Sequence, residues 1–311
     1  MRAPRISPTT YRRVTLLALV LLAVIIVTGG AVRLSGSGLG CPTWPRCDAS
    51  SVVHVDASDQ NKTIESLNRT FTGLVSVAVM LAVLGSLWRT PRRRDLTRLS
   101  LGLVAGVLGQ IVLGGLTVLF DLAPPLVMAH FIVSMFLIAD AVVLHHRAGQ
   151  PDGRGVPIVA PEVITMSRWL VVATGIVVFT GTVVTGAGPH AGDDKVARLD
   201  LAVSDIARVH GIAENVFLIA VLLTLWMLHR TSAPARPRRD GQILLAVLVA
   251  QGAVGYTQYF TGVPALLVGA HIFGAVVVWV AVLRFTLRLR VVPEPVAGSG
   301  ATVASVATAA L

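Results

Sequence analysis

Charge is scarce in this chain. Only 14% of its 311 residues are Asp, Glu, Lys or Arg, against about 25% in ordinary soluble domains, which argues against a water-exposed globule. Cysteine is scarcer still. Cys41 and Cys47 are the whole complement, and two thiolates do not complete a structural zinc site. There is no Walker A loop, no glycine-rich dinucleotide fingerprint behind a strand and no Ser-His-Asp set that can be placed, so nucleotide-driven and serine-nucleophile chemistries find no support. Gly36, Gly38 and Gly40 follow an apolar run instead of a strand and read as a flexible loop.

What the chain has is hydrophobic length. Apolar residues make up 54% of it, mean hydropathy is +0.76, and the apolar residues fall in runs near the length of a membrane span. Eight runs stand out, at 14–34, 68–88, 99–120, 126–146, 169–188, 207–228, 242–260 and 265–285. The first is too long and poorly flanked for a cleaved signal peptide and reads as a retained helix. The fold class expected is an all-α integral membrane protein of eight transmembrane helices.

The net charge of +10 is explained by where it sits. Arg2, Arg5, Arg12 and Arg13 precede the first span. Arg89, Arg92, Arg93, Arg94 and Arg98 follow the second, and Arg147, Arg154 and Arg168 the fourth. Arg230, Arg236, Arg238 and Arg239 follow the sixth, and Arg284, Arg288 and Arg290 close the eighth. The positive-inside rule places these segments and both termini in the cytoplasm of a multi-pass cell-membrane protein. The basic balance therefore reads as topology and not as nucleic-acid binding. The Pro-, Arg- and Gly-containing segments 147–161 and 231–241 read as connectors, and the small, polar tail 291–311 as disordered.

An internal repeat organises the spans. Spans 3–4 and 7–8 align without gaps at an offset of 141 residues: Gln110 meets Gln251, Gly114 meets Gly255, Ala129 meets Ala270, and His130 meets His271. Thr28 and Gly29 match Thr180 and Gly181 more weakly, and Asn68 falls opposite His210. Each repeat has an even number of spans, so the two are parallel four-helix bundles. The division expected is 1–146 and 147–290.

His130, His210 and His271 sit near the outer ends of spans. Imidazoles on opposed helices suit haem iron, and His210 with His271 form a natural pair in the second half. The first half breaks the symmetry, because Asn68 stands where a fourth histidine would be. This asymmetry suggests a reactive first site with His130 as its strong axial ligand, and an electron-carrying second site. Glu65, three residues before Asn68, could move protons or stabilise developing positive charge, or serve only the first turn of a helix. Arg33, Arg69 and Arg208 could pair with haem propionates or lie at the interface. Glu214, four residues after His210, could orient that histidine, and Asp140 is a second ionisable group inside a span. His54 and His190 lie in outer loops and read as solvated; His145, His146 and His229 lie at cytoplasmic ends. Cys41 and Cys47 face an oxidising compartment, as a structural staple or a redox-active pair.

Two stretches are more specific: GGAVRLSGSGLGCPTWPRC over 29–47 and TGTVVTGAGPHAGD over 180–193. With the eight spans and the histidine placement, the chain resembles the haem A synthase family, the CtaA/Cox15 group, over about residues 14 to 290. That resemblance implies oxidation of the C8 methyl of haem O to a formyl, giving haem A for cytochrome oxidase. It implies haem b on His210 and His271, and a substrate-haem pocket in the first half with His130 as iron ligand and Glu65 at the family's essential acidic position. It also implies a disulfide between Cys41 and Cys47. Haem O synthase (the protohaem farnesyltransferase), an electron partner and membrane lipid are the implied partners. In better-known members a histidine follows the glutamate by three residues; here Asn68 stands there and is not assigned as a ligand. Segment 189–205 lacks the third-loop cysteine pair that some members carry. Two rival readings are a diheme b-type cytochrome exchanging electrons with quinone, and a transporter built on the repeat.

Overall fold

The computed structural model describes residues 5–41, 43–47 and 58–293. Eight long helices carry the chain: α1 (Pro8–Leu34), α2 (Gln60–Trp88), α3 (Arg94–Leu119), α4 (Pro124–Ala148), α5 (Pro161–Ala187), α6 (Val203–Arg230), α7 (Ala235–Phe260) and α8 (Ala265–Arg288). All eight are long and apolar enough to cross a membrane. At about 1.5 Å per residue even the 24-residue α8 exceeds a hydrocarbon core of about 30 Å. Large apolar side chains such as Leu108, Phe136, Trp226 and Leu266 are exposed, as lipid-facing residues must be. The chain is a multi-pass membrane protein.

Two of the helices outrun their apolar runs through polar first turns capped by a side chain. Ser7 accepts the Thr10 N–H, with Pro8 opening α1. Asp59 accepts the Lys62 N–H and starts α2 at Gln60, eight residues before the apolar run. That early start places Glu65, Asn68 and Arg69 on one helix face. The connector expected at 231–241 is shorter than that, because α7 opens on a polar turn at Ala235 without a side-chain cap. Residues 235–241 are helical, with Pro237 in the opening turns, where its missing N–H costs nothing.

Within residues 5–148, α1 packs on α2 and α4, and α3 packs on the same two, closing a ring of four. Helices α5 to α8 repeat the pattern: α5 packs on α6 and α8, and α7 does likewise. The two rings meet through α4 on α8, α1 on α8 and α4 on α5. Trp279 of α8 donates its indole N–H to the Met135 carbonyl of α4 across this seam (2.8 Å).

The Arg-rich end is tied together by its own charges. Arg93, buried, donates to the carbonyls of Arg147 and Gln150 at the C-terminus of α4 and pairs with Asp95. Arg288 pairs with Asp240. A two-stranded antiparallel ribbon joins β1 (Val156–Pro157) to β2 (Arg290–Val291). Val291, the first residue of the segment expected to be disordered, is thus in a strand; residues 294–311 lie outside the described residues.

Candidate functional site

The site is a cavity of about 740 Å³ that runs through both rings. Glu65, Asn68, Gln110, His130 and Ser134 line it from the first ring, and His210, Glu214, Gln251 and His271 from the second. Its volume lies within the range of small-molecule and cofactor pockets.

His130 and His271 are seated by the same local device. Gln110 of α3 donates its side-chain N–H to the His130 carbonyl of α4 (2.9 Å), and Gln251 of α7 does the same to the His271 carbonyl of α8 (2.9 Å). One turn after each glutamine stands a glycine. A Cβ built on Gly114 would lie 3.5 Å from His130 Cε1, and one on Gly255 only 2.9 Å from His271 Cε1. On α5, Gly181 plays this part for His210, whose Cε1 lies 3.1 Å from its added Cβ. Any side chain at Gly255 or Gly181 would push against the imidazole.

The His210 tautomer follows from its neighbour. The Thr180 hydroxyl donates back to the Val177 and Ile176 carbonyls (3.0 and 3.1 Å). Thr180 Oγ1 also lies 3.0 Å from His210 Nδ1, and when its proton is on a backbone carbonyl it accepts from the Nδ1–H tautomer. The Nε2 lone pair is then left free, the tautomer a metal ligand needs. Glu214, expected as an orienting partner, makes no hydrogen bond to His210. Its carboxylate turns toward α7, 2.8 Å from a Cβ built on Gly252.

His130 and His271 make no side-chain hydrogen bond, and their Nδ1 atoms are buried without partners. With no protein group holding either ring by its side chain, the two imidazoles that line the cavity are available as ligands. The rings of His210 and His271 lie 6.2 Å apart, centroid to centroid, with their planes at 67°. Opposed histidines at such a separation are the donor set that would hold a haem iron. The pair fits a haem.

At the fourth position the device is incomplete. Thr28 Oγ1 donates to Asn68 Oδ1 (2.9 Å), the counterpart of the Thr180–His210 contact. A Cβ built on Gly29 meets nothing within 4 Å.

Glu65 is only 5% exposed. One carboxylate oxygen accepts the Cys41 backbone N–H (2.7 Å), and the other accepts two N–H groups of Arg69. Arg69 also donates to the carbonyls of Cys41 and Thr43 (3.0 and 2.8 Å). Cys41 and Cys47 form a disulfide, so the Glu65–Arg69 pair straps a covalently closed hairpin to the mouth of α2. Trp44 of that hairpin lies against α3, 2.9 Å from a Cβ built on Gly115, and with Pro45 lines the cavity.

The other polar residues take structural places. Arg33 donates to the carbonyls of His190 (2.6 Å) and Thr185 (2.8 Å), bridging the two rings. His190 bonds the Val263 carbonyl (2.8 Å), so it is tied between outer loops and not merely solvated. His145 meets Thr15, and His54 lies outside the described residues. Thr28, Thr180 and Trp44 were not singled out as site residues from sequence, although the repeat alignment already paired the two threonines.

Comparison with known proteins agrees with this architecture. The family model described as cytochrome oxidase assembly protein, COX15-CtaA, matches residues 12–192. A protein of Listeria welshimeri named heme A synthase is 22% identical over 269 residues, covering 83% of this chain and 88% of the relative. One of the same name from Listeria monocytogenes is 23% identical over the same shares. A third, from Exiguobacterium sibiricum, is 26% identical over 176 residues, 54% of this chain and 56% of the relative. Since the family model covers more than half of it, the chain belongs to the COX15-CtaA cytochrome oxidase assembly protein family.

Proposed function

We propose that this protein is a haem A synthase, which oxidises the C8 methyl of haem O to a formyl by way of an alcohol. Counted with water as oxygen donor, methyl to aldehyde releases four electrons and four protons, and an electron partner must take the electrons. The observation that carries the reading is the trio of cavity histidines, each seated on a glycine of the neighbouring helix. The Listeria relatives named heme A synthase support the same reading.

The two rings divide the work as 1–146 and 147–290. His210 and His271 would hold haem b, with Thr180 fixing the His210 tautomer. Haem b would supply one-electron transfer there. In the first ring His130 would bind the iron of haem O, beside Asn68. Glu65, held by Arg69 and the Cys41 N–H, would place the negative end of a buried ion pair at the rim of that pocket, where it can stabilise positive charge developing on the substrate. The Cys41–Cys47 hairpin covers the pocket with Trp44 and limits water. The Arg-rich end faces the cytoplasm, and haem O arrives from a membrane haem O synthase.

The test is haem analysis of membranes from cells supplied with haem O, with and without this protein. Haem A is expected only with it. Glu65→Gln protein should keep its bound haem and lose the product. Bound haem without any haem A would leave a diheme electron-transfer cytochrome, and absence of bound haem would leave a transporter.

A further inference from the structure

The four repeat-related positions of the cavity are three closed seats and one open one. At Gly114, Gly181 and Gly255 the added Cβ meets a histidine Cε1; at Gly29 it meets nothing. The open seat exists because Asn68 is shorter than the histidine it stands opposite, and both Gly29 and Asn68 line the cavity. An amide nitrogen cannot replace imidazole as an iron ligand, since its lone pair is delocalised into the carbonyl. Asn68 can still donate. Thr28 holds its Oδ1, and among the described residues the amide NH₂ has no protein partner and is not sealed from the cavity. The space left by the missing imidazole therefore carries one hydrogen-bond donor.

We infer that the Asn68 face of the first ring is a binding site for a small exogenous ligand, a diatomic gas or a compact anion such as cyanide, beside a haem held only through His130. This rests on the proposed function, because it presumes a haem in the first ring. Hydrogen-bond donors and steric access at an open axial face decide whether haem takes such ligands. The second ring, with His210 and His271 on both faces, refuses them.

The full-length protein in detergent, loaded with haem b as the probe, tests this by spectroscopy. Roughly half of the bound haem should be high-spin when oxidised and should bind carbon monoxide when reduced. Asn68→His should complete the fourth seat, converting the high-spin signal to low-spin and cutting the carbon monoxide-binding fraction by about ten-fold or more. Gly29→Leu should fill the open space and weaken carbon monoxide binding without changing haem content. Asn68→Leu should keep the high-spin haem but raise the carbon monoxide stretching frequency, reporting loss of the donor. The low-spin signal of His210 and His271 checks folding of each variant; if Asn68→His loses it, Gly29→Leu decides. Wild-type protein whose haem is entirely low-spin and blind to carbon monoxide overturns this inference and leaves the proposed function standing. A chain that takes up no haem at all overturns the proposed function first.

Discussion

The first and second rings share a scaffold and differ at the positions that matter for chemistry. Glutamine–carbonyl pins, glycine seats and a threonine partner recur in both. At an offset of 142 residues, Asn68 stands opposite His210, Glu65 opposite Ala207, and Arg69 opposite Gly211. The second ring thus has two opposed imidazoles and no carboxylate–guanidinium pair at that level, whereas the first has one imidazole and the pair. A haem with both axial positions filled is suited to passing electrons, and one with a free face is suited to reaction. On the proposed function, the repeated frame would hold a planar macrocycle between four helices. Three differences on one face of α2, at Glu65, Asn68 and Arg69, would then separate substrate from relay.

The largest effect that would sharpen this comparison is removal of one ligand from each ring. His271→Ala should abolish the low-spin haem signal and leave the haem of the first ring in place, seen as loss of about one of two haems per chain in a pyridine haemochrome assay. His130→Ala should do the reverse. Equal loss of both signals in either variant would mean that the rings are not separate sites.

Next comes the pair that only the first ring has. Arg69→Ala leaves the Glu65 carboxylate buried with the Cys41 N–H alone, and breaking a buried pair costs about 3–5 kcal/mol. Thermal unfolding in detergent should shift down clearly for Arg69→Ala and less for Glu65→Gln, which removes the charge instead of stranding it. A larger drop for Glu65→Gln would show that the carboxylate serves the fold before the chemistry.

Much of this was legible in the sequence, and the parts that were not share a cause. The eight spans can be read because hydrocarbon demands unbroken apolar length, but the apolar run begins eight residues after α2 does, since a capped polar opening such as Gln60–Leu67 carries no such signal. His130 and His271 could be matched because the repeat is gapless over their helices. The bond from Arg33 to Thr185 joins residues 152 apart and exists only once the rings have docked, so no local pattern announces it. Glu214 misled for a related reason. Its spacing from His210 puts both on one face, but the helix–helix geometry at Gly252 turns the carboxylate away.

A smaller effect separates the two threonines. Thr180→Val removes the acceptor that holds His210 Nδ1–H, and loss of such an outer partner typically weakens metal binding about 10- to 100-fold. Haem affinity of the second ring should fall by that order, and its midpoint potential should shift. Thr28→Val frees Asn68, which is no ligand, so haem affinity of the first ring should not change.

The smallest effect discriminates between the glycine seats. An alanine at Gly255 would place its methyl 2.9 Å from His271 Cε1, closer than real Cβ atoms approach, so the imidazole must tilt. The same change at Gly114 leaves 3.5 Å to His130, an ordinary van der Waals contact. Gly255→Ala should therefore broaden or shift the low-spin spectrum of the second ring, while Gly114→Ala should leave the haem of the first ring unaltered and gain slightly in helix propensity. On the proposed function, the first ring would let its ligand histidine move as substrate enters and product leaves, whereas the second would hold a resident group and gain from a tight seat. Equal spectral perturbation by both alanines would show that the two histidines are held alike, and the contrast between a substrate ring and a relay ring would then rest on Asn68, Glu65 and Arg69 alone.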